Sequence, residues 1–218
     1  LRDGAHAGRF AACWLLAAAG CLGLFVAADL VSLYAMLAMM TIGAGGLVIH
    51  DGTPRAWRAG ATYVGLALLA ESMLLVGLIM LAVEMPGTGL GIDAAVTTLA
   101  ASPQRAPILA LLVFGFGLKA GLVPLHVWMP LAHSAAPVPA SSVLSGAVVK
   151  AGIIGLIRFL PPGEALQATG QVLAVAGFVT AFYGVLAGLT AVHHVLRDEI
   201  EHEGQHDQKA QHSHEIGE

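Results

Sequence analysis

Three ionisable side chains stand in stretches that otherwise carry no charge. Lys119 follows the apolar run Ile108–Leu118, Lys150 lies within Val138–Ile157, and Glu71 is the only charged residue of Gly60–Val83. Placing an ammonium at bilayer depth costs about 2.5–3.5 kcal/mol on insertion scales, so such a group must face a partner or a wet cavity. A buried carboxylate is under the same constraint unless it is paired or protonated. The chemistry open to these groups is proton transfer. Burial disfavours the charged lysine and a nearby carboxylate favours it, so the distance between Glu71 and Lys119 sets whether the lysine holds its proton. Lys150 is the next titratable group along the chain, and Ser142 and Ser145 precede it by about two turns and one. His126 and His133 flank a proline-rich bend, where their imidazoles suit either structural hydrogen bonding or proton uptake. A relay through both lysines requires that they face a common polar interior at similar depth.

The segment that carries Lys119 continues as Ala-Gly-Leu-Val-Pro-Leu-His-Val-Trp-Met-Pro. Gly121 and Pro124 predict a broken helix around Lys119–Pro124, because proline removes a backbone donor and disrupts the preceding turn. Broken backbone at membrane depth is tolerated only inside protein or along water.

The elements that position these residues are membrane helices. The chain is 57% hydrophobic and 11% charged, with mean hydropathy +0.79, against about 25% charged in a soluble domain. Phe10–Ala28, Leu30–Ile49 and Leu166–Val192 carry no charge. With the three segments bearing Glu71, Lys119 and Lys150 they give about six spans near the ~20 residues a crossing needs. The expected fold is therefore all-α, a polytopic transmembrane helix bundle. Arg2, Arg9, Arg55, Arg58 and Arg197 fall on one side and Arg105 and Arg158 on the other, which predicts both ends in the cytoplasm. Asp29 marks a tight outer turn, and Glu84–Pro107 an outer loop with a short surface helix. Trp57, Tyr63 and Trp128 fit an interfacial aromatic belt, and Gly43-Ala44-Gly45-Gly46 fits close helix packing.

Composition changes after Val195. Residues 196–218 hold seven of the fourteen acids together with His202, His206, His212 and His214. They read as a solvated, disordered cytoplasmic tail following a membrane domain at 1–195. The histidine spacing matches no zinc motif, so no metal site is expected. Cys13 and Cys21 lie in the first span and predict no disulfide. There is no cysteine ladder for iron–sulfur clusters, no dinucleotide fingerprint and no phosphate loop, so no cofactor is expected. Nothing points to nucleic acid.

The run from Phe114 through Lys119-Ala-Gly-Leu-Val-Pro-Leu-His126-Val-Trp-Met-Pro-Leu-Ala-His133-Ser-Ala-Ala-Pro, followed by Leu-Ser-Gly-Ala-Val-Val-Lys150-Ala-Gly, resembles the antiporter-like subunits of respiratory complex I, energy-converting hydrogenases, formate hydrogenlyase and multisubunit sodium/proton antiporters. Pro-Leu-Ala-His and Leu-Ser-Gly stand nearer the hydrogenase-type branch. The resemblance covers roughly residues 8–193 and corresponds to the first of two inverted repeats plus one helix. It implies a fragment, or a second half supplied by another polypeptide; the start at Leu1 rather than Met agrees. It also implies membrane and peripheral redox partner subunits, and a place in the bacterial cytoplasmic membrane. Lys119 falls on the family lysine of the broken helix, Lys150 on the relay lysine of the next helix, and His126 and His133 on the histidines around the break. The family's glutamate falls on Ala38, and Glu71 is the expected substitute. The driving reaction, whether NADH, formate or hydrogen oxidation, would lie in the partners. The transported ion is a proton or sodium, and a non-conducting anchor is the alternative.

Overall fold

The computed structural model describes residues 4–85, 87, 89–160, 167 and 169–190; the acidic tail at 196–218 and the expected domain boundary at Val195 lie outside the described residues. Among the described residues, six helical segments are long and apolar enough to cross a membrane: His6–Val26, Leu30–Val48, Pro54–Val83, Arg105–Ala135, Val138–Phe159 and Thr169–Thr190. The expected all-α fold with about six spans is therefore observed among the described residues.

Helices α1 (Gly4–Val26) and α2 (Leu30–Val48) form a hairpin. Asp29 makes the turn: its carboxylate accepts from the backbone N–H of Val31 and Ser32 at 3.0 and 2.9 Å, capping α2. The hairpin closes backbone to backbone. A Cβ on Gly20 would lie 2.5 Å from Met40 N, and one on Gly43 would lie 2.5 Å from Ala17 N. The small residues of both helices thus set the crossing distance. Helix α3 (Pro54–Val83) begins with Thr53 accepting from Ala56 N and Pro54 in its first turn. The short α4 (Ile92–Ala101) buries Ile92, Ala95 and Leu99. It is tied to the α1–α2 turn by Leu30 N–H to Leu90 O and Ile92 N–H to Ala28 O, both 2.9 Å.

Helix α5 (Arg105–Ala120) stops at Gly121, whose φ of 72° lies in the left-handed region open to glycine. A 3₁₀ turn (Leu125–Val127) and α6 (Trp128–Ala135) complete the broken span. The break falls where Gly121 and Pro124 predict it. Helix α7 (Val138–Val143), a π-helical segment (Leu144–Val148) and α8 (Val149–Phe159) form the next crossing. Two glycines draw the core together. Gly115 sets α5 against α3, where a Cβ would meet Leu74 Cγ at 2.5 Å and Ala70 O at 2.8 Å; Gly152 sets α8 against Ala120 N at 2.5 Å. Both contacts flank the ionisable positions.

The last span is α9 (Thr169–Thr190). Its part from Leu173 onward belongs to a second unit; taken by itself it is an uncharged helix.

Of the three residues expected in an aromatic belt, Trp57 is exposed. Trp128 and Tyr63 are buried and meet edge to face, with ring centroids 5.3 Å apart. The reason is the break: Leu118 O sits in the last turn of α5, and the Trp128 indole N–H reaches it at 2.8 Å.

Candidate functional site

Three helices bring one residue each to a buried polar cluster. Lys119 comes from the last turn of α5, Glu71 from the middle of α3 and Thr41 from α2; they are 3%, 6% and 4% exposed. The Lys119 ammonium donates to Glu71 Oε1 at 2.9 Å and to Thr41 Oγ1 at 2.7 Å. The Thr41 oxygen stands 2.5 Å from the same Glu71 oxygen and 3.0 Å from Leu37 O, one turn back on its own helix. A hydroxyl has one proton, so Thr41 donates either to Glu71 or to Leu37 while accepting from Lys119. The cluster is a three-membered ring of charge-assisted contacts in an apolar shell, and Lys119–Glu71 is the only ion pair among the described residues.

Its position follows from the sequence. Gly115 admits α3 one turn before Lys119, Gly121 ends the helix just after it, and Gly152 seats α8 against Ala120. The lysine is thus held at the end of a helix, where last-turn carbonyls favour a cation. Beside it lies a cavity of about 10 Å³ lined by Tyr63, Ala67, Leu118, Lys119, Trp128 and Val148, room for about one water molecule.

The remaining sequence-derived residues are placed elsewhere. Lys150 is exposed, and its ammonium donates to Ser145 O at 2.8 Å. The two lysines therefore do not share one interior in this chain. Helix α8 packs on α5 through Ala151, Gly152 and Gly155, and at about 100° per residue Lys150 points nearly opposite Gly152. The π-helical segment just before it widens the helix at Ser145, a feature often found at functional positions. His133 is half-buried on α6 and shares a 2.7 Å hydrogen bond with the Ser141 hydroxyl. His126 is half-buried in the 3₁₀ turn beside Pro124.

Sequence reasoning missed Thr41. It lies three residues after Ala38, on nearly the same face of α2 and one turn deeper. A hydroxyl there meets the acid supplied by α3. The signal was a lone polar residue in Met39-Met40-Thr41-Ile42, and a threonine in an apolar helix is ordinarily satisfied by the i−4 carbonyl.

Comparison with known proteins identifies the family of the fold. Residues 27–193 match the family described as NADH:quinone oxidoreductase/Mrp antiporter, TM. Hydrogenase-4 component B of Escherichia coli is 35% identical over 158 residues, 69% of this chain and 23% of that protein. NADH-quinone oxidoreductase subunit N of Desulfitobacterium hafniense is 34% identical over 191 residues, 86% of this chain and 37% of that protein. A chain of the archaeal membrane-bound sulfane sulfur reductase superposes with a TM-score of 0.68 at 27% identity, covering 75% of this chain and 34% of that one. Hydrogenase-type and quinone-reductase-type relatives thus match about equally well, and the match spans 23% to 37% of their lengths. This chain is a multi-pass membrane protein belonging to the NADH:quinone oxidoreductase/Mrp antiporter transmembrane family.

Proposed function

We propose that this chain carries protons through one half-channel of a redox-driven membrane complex, and that Lys119, with Glu71 and Thr41, is the loading site. The buried Lys119–Glu71–Thr41 cluster at the helix break carries the proposal. An ammonium held by one carboxylate and one hydroxyl has few ways to keep its proton if the carboxylate withdraws or is neutralised. Helix α5 ends one residue later and is capped by Gly121, so a small change at Gly121 shifts the ammonium relative to α3. The adjoining cavity touches Val148 in the π-helical segment and offers the released proton a way toward the helix that bears Lys150. His126 and His133 stand on the far side of the break as uptake groups. The protein sits in the bacterial cytoplasmic membrane with both ends cytoplasmic. Further membrane subunits and a peripheral arm oxidising NADH, formate or hydrogen supply the energy. Sodium/proton antiport is the sister reading on the same cluster.

A second reading, a non-conducting anchor, draws on the exposure of Lys150, which leaves the relay incomplete within this chain. The test is a Glu71→Gln substitution in the purified complex reconstituted into vesicles. Proton uptake per turnover should fall steeply while the redox reaction continues, and wild-type uptake should persist in sodium-free buffer. Unchanged uptake in the variant would favour the anchor; uptake that requires sodium would favour antiport.

A further inference from the structure

A second polar feature lies at the start of α3, away from the lysine cluster at its middle. The start of α3 and the side of α6 enclose a groove of about 540 Å³ whose lining includes Thr53, Arg55, Arg58, Thr62, Leu131 and Ser134. That volume is within the roughly 300–1,000 Å³ of ordinary ligand sites. Its hydroxyls are largely committed. Thr62 donates to Arg58 O and Ser134 donates to Leu131 O, both at 3.1 Å, and Thr53 caps Ala56 N. The donors left for a ligand are the two guanidiniums and the Thr53 hydroxyl, whose oxygen accepts from Ala56 N and whose proton is uncommitted. Both guanidiniums are exposed, and among the described residues neither pairs with a carboxylate. The groove therefore selects an anion with several acceptor oxygens.

Its depth narrows the choice. Helix α3 has 30 residues, about 45 Å at 1.5 Å per residue, against a hydrocarbon core of about 30 Å. Glu71 is near its middle. Counting along the axis, Arg58 lies about 20 Å and Arg55 about 24 Å from Glu71, beyond the ~15 Å half-thickness of the hydrocarbon and at the level of the headgroups. Exposed Trp57 sits between them, as an interfacial anchor does. Leu131, also exposed, gives the groove an apolar wall for the glycerol end of a lipid.

We infer that this groove binds the phosphodiester headgroup of an anionic phospholipid, held by Arg55 and Arg58. The bound headgroup bridges the start of α3 to α6, the half-helix after the break, and so braces the segment whose backbone ends at Lys119. A lipid contributes both the anion and an apolar body at this depth, which a free phosphate does not.

The test uses the full protein with its co-purifying subunits, reconstituted in phosphatidylcholine bilayers that contain spin-labelled phosphatidylglycerol or, separately, spin-labelled phosphatidylcholine. The wild type should immobilise more phosphatidylglycerol than phosphatidylcholine. A basic residue near an anionic surface is worth about 1 kcal/mol and 1.4 kcal/mol is tenfold, so R55Q/R58Q should weaken the site by tenfold or more. Phosphatidylcholine contact should not change. R55K/R58K, which keeps both charges, should retain most of the preference and shows that loss in the first variant is not misfolding. The inference is overturned if the wild type shows no preference for phosphatidylglycerol or if R55Q/R58Q keeps it. It is also overturned if equimolar inorganic phosphate displaces the lipid, or if a photo-crosslinker at position 58 captures an acidic polypeptide in place of lipid.

Discussion

Removing Glu71 alone should be far more damaging than removing Glu71 and Lys119 together. In a Glu71→Leu variant the Lys119 ammonium keeps one neutral acceptor, Thr41 Oγ1 at 2.7 Å, and loses its counter-charge at 2.9 Å. Breaking one partner of a buried ion pair costs about 3–5 kcal/mol. The penalty has a ceiling, because the protein can instead fold with the lysine neutral. From a solution pKa of about 10.4, neutralising it at pH 7 costs about 3.4 × 1.36, or about 4.6 kcal/mol. That ceiling falls by about 1.4 kcal/mol for each pH unit above 7, since the unfolded state binds one proton more than the folded variant. The double variant Glu71→Leu/Lys119→Met removes both charges and leaves Thr41 bonded to Leu37 O, so its stability should return to within about 1–2 kcal/mol of wild type. The assay is equilibrium unfolding of the protein in bilayer-mimetic micelles at a series of pH values. A single variant that costs less than about 1 kcal/mol, a penalty that does not shrink as pH rises, or a double variant no better than the single would refute the reasoning.

Three further outcomes follow from the contacts described. Thr41→Val keeps shape but removes the hydroxyl between Lys119 and Glu71, so coupled proton flux should slow by about tenfold or more while assembly is retained, hydrogen bonds to charged groups being worth about 1.5–3 kcal/mol; stopped-flow pH-indicator measurements on vesicles would show it. Arg158 donates to Leu24 O and Ala27 O at 2.8 and 2.6 Å, tying α8 to the end of α1, and Arg158→Met should lower stability by about 1–2 kcal/mol, read by thermal unfolding. Hydrogen bonds from the Ser32 hydroxyl and backbone hold the Asp29 carboxyl below its ordinary pKa. Its stabilisation is thus complete above the unfolded value of about 4 and is lost as pH falls through the lower folded value. The stability gap between wild type and Asp29→Ala should narrow below pH ~4.

Much of the architecture was legible because each rule acted within one helix. Uncharged stretches of spanning length gave the crossings, and Gly121 with Pro124 gave the break. The partnership of Glu71 and Lys119 was reachable for a thermodynamic reason: a mid-span carboxylate requires a partner, and few cations were available. What stayed hidden depended on packing between helices. Thr41 looks like any back-bonded threonine until α3 brings Glu71 beside it. Trp128 has the amphipathic ring of a belt residue, and only the broken turn at Leu118 supplies the buried carbonyl that draws it inward. Arg158 reads as a loop charge until α1 ends beneath it. Lys150 reads as interior because a charge in an apolar span demands a buried partner; the competing signal in its own helix was the small face Gly152 and Gly155, which seats α8 on α5 and turns Lys150 outward.

The most direct test of the central claim is proton translocation per redox turnover in the reconstituted complex carrying Lys119→Met. The substitution replaces a buried ammonium by an apolar chain of similar length, so the complex should assemble. Redox turnover should continue with translocation through this subunit abolished. An assembled Lys119→Met complex that translocates as many protons per turnover as wild type would contradict it.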